Sequence, residues 1–274
     1  MSTFKLTLDE SVDDKRKVVG RYSAWKQFCV LQQYLEPGAS GDLSVEDAAR
    51  LLYQMLPRKR EGLEQEHYFS GSLLKVAEQI PYSHPAQDKL VELVGILART
   101  DRLNIRTDVN GYEYYSPMET MYQDIRGSTN SGWQTEKDQR DNANNIGFAA
   151  RLMSAGLFVQ LLFPFYHLIN KLENNIAPKF ASIGVLSTSI WILKAGHCIF
   201  GHLVLKPGPF STDDQRCYAQ GPLYNGPIKG IERWRYWQET LAARAGGVGI
   251  SDEARELGKK AADLMAAMAR DVTF

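Results

Sequence analysis

The chain has 274 residues, with 32 Lys plus Arg balancing 32 Asp plus Glu, and a hydrophobic fraction of 44%. That much apolar material excludes an intrinsically disordered chain, and zero net charge excludes a generally basic nucleic-acid binder. Cys29, Cys198 and Cys217, with no CxxC spacing, exclude a disulfide framework and fit a reduced, cytoplasmic protein.

The first residues carry Asp and Glu early and no apolar run, unlike a secretory or transit leader. Val18, Tyr22, Trp25 and Cys29 fall on one stripe at helical spacing, and Ser11 with Asp14 supplies a start for that helix. Ser44 with Asp47 repeats the device before a second helix, which Pro57 closes. A third helix is expected over about 61–79, ended at Ile80-Pro81. The next, after Pro85, has Leu90, Val94 and Leu97 on its buried face. Asn110-Gly111 between Ile105 and Tyr114 allows one small β-hairpin near 105–115. Ser116, Pro117 and Glu119 restart a helix, and the small polar run 126–133 makes a loop. That loop is a connector or a lid with Trp133 at its tip.

A long helix is expected from Thr135 to Pro164, and a second apolar helix from about Phe180 to Leu205. Both approach the roughly 20 residues of a membrane span. Gln160, Pro164 and His167 interrupt the first, and Lys194, His197 and His202 the second, so both read as central helices and not spans. A helix with Ile231, Trp234, Trp237 and Leu241 on one side follows, broken at Gly246-Gly247. Ser251 caps the last helix, with Leu257, Ala261, Leu264 and Met268 as its apolar stripe. No linker divides the chain, so the expectation is one all-α domain of roughly eight to ten helices spanning 1–274.

No recognised catalytic motif is present. His197 and His202 are five residues apart, roughly 140° around a 3.6-residue helix, so they do not share a metal ion. Asp138, Asp141 and Asn145 share a helix face, yet Lys137 and Arg140 interleave, and a solvated first turn is the better reading. Neither metal nor cofactor is expected.

Arg151 and Lys194 are charges set inside the two most apolar helices, where an unpaired charge costs several kcal/mol. In one reading they line an apolar chamber. Arg151, Trp191, Tyr166 and Trp133 then bind an apolar small molecule, and Lys194, His197 and His167 hold and move protons. In the other, Arg151 and Lys194 pair with acids from neighbouring helices or reach outward to water. Of the charged residues, only Arg151, Lys171, Glu173, Lys179 and Lys194 lie within 146–205. Neutrality therefore averages a charged shell over a nearly uncharged centre.

Three segments, QIPYSHPAQDKLVELVGILAR, SIWILKAGHCIFGHLV and GIERWRYWQETLAARAG with the following SDEARELGKKAADLMAAM, carry a resemblance. Together they resemble a fungal family of uncharacterised all-helical proteins, a domain of unknown function, over about 79–270. The resemblance implies an intracellular all-α protein from genomes rich in secondary-metabolite clusters, and it carries no catalytic residues to transfer. Two functions are expected. The first is a cofactor-independent, metal-free cyclase or isomerase of fungal secondary metabolism, acting on an apolar intermediate in a helical chamber. The alternative is a non-catalytic helical interaction or scaffold protein. Both leave room for a homo-oligomer.

Overall fold

Ser23, Ser44 and Thr135 each begin a helix in the same way. A side-chain oxygen accepts the backbone N–H three residues on, from Lys26, Asp47 and Asp138 respectively. The computed structural model describes residues 4–8, 18–19, 22–36, 43–56, 63–102, 107–109, 112–114, 121, 123–125, 127, 135–158, 161–206, 208, 212–270 and 272. Helices dominate, and among these residues the strands are confined to two short antiparallel ladders. Contacts divide the chain into two units, Met1–Phe158 and Val159–Phe274.

In the first unit, β1 (Val18–Val19) pairs with β2 (Tyr22–Ser23), and α1 (Ala24–Leu35) follows directly. Then come α2 (Val45–Tyr53), α3 (Leu63–Ala77) and α4 (Ala86–Ala98). The ladder of β3 (Thr107–Val109) and β4 (Tyr112–Tyr114), with Val109 opposite Tyr112, precedes α5 (Glu136–Ser154). α1 packs on α2 and α3, and α4 packs on α2 and α5. Leu90, Val94 and Leu97 of α4 are fully buried, as their spacing predicts.

The expected helix through Val18 and Tyr22 is not formed there. β-branched Val18 and Val19 favour the extended ladder, and the helix waits for the Ser23 cap. Its buried face is then Phe28, Leu31 and Leu35, so Trp25 and Cys29 are left off the core. Ser11, Asp14, Pro57, the 116–119 helix start and most of the 126–133 loop, Trp133 included, lie outside the described residues.

α5 opens with a capping box in which Asp138 reaches back to the Thr135 N–H at 2.9 Å. Lys137 pairs with Asp141 at 2.5 Å one turn later, which makes this the solvated first turn expected. Deeper in, Asn144 accepts the Tyr82 N–H at 2.8 Å and donates to the Glu78 carbonyl at 2.7 Å. Gln87 donates to the carbonyls of Ile80 and Asn144, so the end of α3 is satisfied by buried amides. Gly147 lets α5 come this close, since a Cβ there would sit 2.7 Å from that of Tyr82.

The expected long helix from Thr135 to Pro164 is two helices. Gly156 adopts φ +71, its N–H bonds to the Met153 carbonyl, and the Leu157 N–H reaches the Leu152 carbonyl. That double bond pattern is a Schellman stop, which only a residue free to take positive φ completes at low cost. Pro164 then stands in the first turn of a new helix, where its missing N–H has no partner to lose.

That helix, α6 (Leu162–Leu172), opens the second unit. A 3₁₀ turn at Pro178–Phe180 leads into α7 (Ala181–Phe200), and a π-helical turn, Gly201–Leu205, extends it. α8 (Thr212–Cys217), α9 (Ile231–Ala245) and α10 (Asp252–Arg270) complete the unit. The two central apolar helices expected are therefore one long buried apolar helix. Pro178–Leu205 is long and apolar enough to cross a membrane, and 72% of its most apolar stretch is buried inside the protein.

α10 packs along α7 and α9. Its buried face is small, with Ala254, Gly258, Ala261, Ala262, Met265 and Ala269, while Leu257, Leu264 and Met268 flank it half-buried. Close approach explains the inversion. A Cβ at Gly258 would lie 2.6 Å from that of Ala245 and 2.8 Å from Val185 Cγ1, too near for any side chain.

Candidate functional site

Arg151, in the last turn of α5, is 6% exposed and is held by residues of its own unit. Its Nε donates to Asp88 at 2.6 Å, and Nη1 donates to the Gly147 carbonyl at 3.1 Å and to Gln87 Oε1 at 3.3 Å. Asp88 is 65% exposed at its side chain, so half of this pair is in water. Arg151→Met is expected to cost at most about 1–2 kcal/mol, because an apolar chain of similar length replaces a paired cation and Asp88 is re-solvated. The shift of the urea midpoint measures it, and a loss above 3 kcal/mol would show that the charge itself is required.

The other expected site residues lie in the second unit, at different depths. Trp191 is fully buried on α7, edge-on to Phe163 with ring centroids 5.4 Å apart. His167 is buried on α6 and shares a 3.0 Å hydrogen bond with Ser187 Oγ. Ser187 donates to the Gly184 carbonyl, which leaves His167 Nε2–H as donor to the serine. Burial, with the Lys171 charge adding to it, pushes the His167 pKa down to about 3. The ring is therefore neutral at physiological pH. Lys194 is half-buried, while Tyr166 and His197 are exposed, with His197 Nε2 3.2 Å from the Cys198 thiol. The hydrogen bond of His167 goes to Ser187, and the ring of Trp191 meets that of Phe163. Among the described residues, no three His, Cys, Asp or Glu side chains converge on one point.

A polar cluster that sequence reasoning missed lies in the same unit. Glu173, at the C-cap of α6, and Arg233 of α9 are both completely buried. Arg233 Nε and Nη2 fork onto the carboxylate at 2.7 and 3.0 Å. Its Nη1 reaches the carbonyls of Tyr218 and Ile228, and Nη2 also reaches that of Ala219, so every guanidinium donor is used. The carboxylate also accepts Trp237 Nε1 at 2.6 Å and the Gly221 N–H at 2.7 Å. Glu173 is the only acid within 146–205, and a lone carboxylate in so apolar a stretch was the available signal. This cluster ties the 218–230 segment to α6 and α9, and has no donor or acceptor left for a ligand.

A solvent-open cleft of about 460 Å³ lies between α1 and α2 in the first unit. Trp25, Val30, Leu51 and Met55 form its apolar walls. Lys26, Cys29 and Gln54 supply its polar atoms, and burial raises the Cys29 thiol above its ordinary pKa. Trp25 is 42% exposed and stacks on Phe28 at 6.3 Å, so one indole face is backed by the core. None of the expected site residues lines this cleft.

An all-α chain, with Arg151, Glu173 and Arg233 spent on its own framework and an apolar concavity at a helix pair, defines a helical protein without an assembled catalytic constellation among the described residues. The chain belongs to the DUF3632 family of proteins of unknown function, whose model matches residues 71–241. No curated protein and no solved structure matches it. The matched stretch contains the Glu173–Arg233 cluster, and the cleft lies before it.

Proposed function

We propose that this protein binds an apolar small molecule in the α1–α2 cleft and acts by binding rather than by proton transfer. The observation that carries this reading is the cleft itself, a concavity of about 460 Å³ with an aromatic wall. That volume lies in the usual range of small-molecule sites, which are mostly apolar with a few polar groups. The ligand class is the one expected from the sequence, at a different place in the fold. An intracellular setting in fungal secondary metabolism belongs to the same proposal.

The test is titration of the full-length protein with N-phenyl-1-naphthylamine, a neutral apolar fluorophore. Met55→Trp fills the cleft and is expected to abolish saturable binding, and Leu51→Trp blocks it from a half-buried position. Wild-type affinity in both variants would overturn the reading.

A metal-free cyclase or isomerase is the second reading, favoured by one observation. Lys171 is half-buried near Arg244, and desolvation, with the Arg244 charge adding to it, lowers its amine pKa to about 8, within reach of neutral-pH acid–base work. Metabolite comparison of wild-type, gene-deleted and Lys171→Met strains tests it. A product lost in the deletion and in the variant supports catalysis, and its persistence in the variant removes Lys171 from the chemistry.

A further inference from the structure

The charged groups of this protein are unequally committed. Lys75, Lys137 and Lys260 each pair with a carboxylate on their own helix or at its end, and Lys229 donates to the carbonyls of Lys206 and Gly208. Arg151 and Arg233 are bound into the framework. Lys26, at the mouth of the cleft, forms no ion pair or hydrogen bond through its ammonium with any described residue, and no described carboxylate lines the cleft. The Gln54 side-chain amide across the cleft is likewise unclaimed. A cleft with apolar walls, a single cation and a free amide at its rim is complementary to one kind of ligand.

We propose that the ligand of the α1–α2 cleft is an apolar small molecule bearing one acidic group. Its hydrocarbon body lies against Trp25, Leu51 and Met55, and its anion meets the Lys26 ammonium with the Gln54 amide as second donor. This rests on the cleft being a ligand site. An exposed cation contributes modestly, because water and salt screen it, but a charge-assisted hydrogen bond at the edge of an apolar wall exceeds a bare surface pair. The acid therefore sets orientation and selectivity, and the apolar body supplies the larger share of affinity.

Two fluorophores with the same ring systems separate these contributions. 8-Anilinonaphthalene-1-sulfonate carries the acid and N-phenyl-1-naphthylamine lacks it. In Lys26→Gln the Kd of the sulfonate is expected to rise about 3–10-fold, and in Lys26→Glu more than 10-fold, with the neutral probe held within 2-fold. Raising the salt to 0.5 M should weaken the sulfonate alone. Far-UV circular dichroism and thermal melts confirm that the variants fold, as an exposed position predicts. Equal response of both probes to Lys26→Gln, or no response from either, overturns the acidic-ligand inference and leaves the cleft reading standing. Retention of the neutral probe by both Met55→Trp and Leu51→Trp overturns the cleft reading itself.

Discussion

Glu173→Ala is expected to lower the unfolding free energy by about 3–5 kcal/mol, a large part of the 5–15 kcal/mol a domain of this kind commands. The cause is what the substitution leaves behind. Arg233 has no solvent access, and without Glu173 its guanidinium is a buried cation left with carbonyls and the Tyr224 and Trp237 rings but no counter-charge. Trp237 Nε1 and the Gly221 N–H lose their acceptor at the same time. Urea denaturation followed by tryptophan fluorescence reads the effect, since Trp191, Trp234 and Trp237 are all buried in the second unit. The double variant Glu173→Met/Arg233→Met is expected to recover part of the loss, because it removes the stranded charge along with its partner. A loss below 1 kcal/mol in Glu173→Ala would mean the cluster is not a determinant of stability.

Acid is expected to act through His167. The folded-state pKa of its ring is depressed to about 3, against about 6.5 for an unperturbed histidine. Between these values the unfolded chain binds a proton that the folded chain does not, so stability falls as pH falls. The contribution is fully present above pH 6.5 and is lost progressively as pH drops toward 3. From pH 6.5 to 4.5 the loss is about 2–3 kcal/mol, at 1.36 kcal/mol per pH unit. Carboxylates titrate in the lower part of that window as well, so the comparison is with His167→Gln, which keeps a donor toward Ser187 and has no proton to gain. The variant should melt at a temperature that changes less between pH 6.5 and 4.5. Parallel pH profiles for the two proteins would show that the ring does not control acid stability.

Caps and apolar spacing made much of the helical content legible. Ser44 and Ser251 stand at helix starts, as expected from their position before apolar periodicity. Leu90, Val94, Trp234, Trp237 and Leu241 are buried where their spacing puts them. Two misreadings share a cause. Val18 through Cys29 carries one apolar period although only its second half is helical, and the apolar pattern of 135–164 continues through Gly156 to the more conspicuous Pro164. In both, a local stop outweighed a continuing hydrophobic pattern, because capping acts on backbone hydrogen bonds that side-chain periodicity does not register.

The candidate site was less legible. Arg151 is legible as a charge within an apolar helix, but its alternatives, anchor or ion pair, differ only in whether an acid such as Asp88 stands within reach. Asp88 is 63 residues away in sequence. Glu173 and Arg233 are 60 apart, and neither carries a mark of its partner. The cleft was hidden differently. Trp25 and Cys29 read as core because they lie on an apolar stripe, and they came to line the cleft because Phe28, Leu31 and Leu35 took the buried face.

The sequence by itself determined the all-α class, the uncharged centre and the capped helix starts, because these rest on interactions between residues a few positions apart. Which charges are consumed and which remain free was decided by the tertiary structure alone. A charge's fate depends on the partner that packing brings to it, and at separations of 60 residues nothing in the local pattern names that partner. The balance of 32 against 32 hides this division: Glu173 and Arg233 are spent on the framework, while Lys26 faces solvent at the cleft.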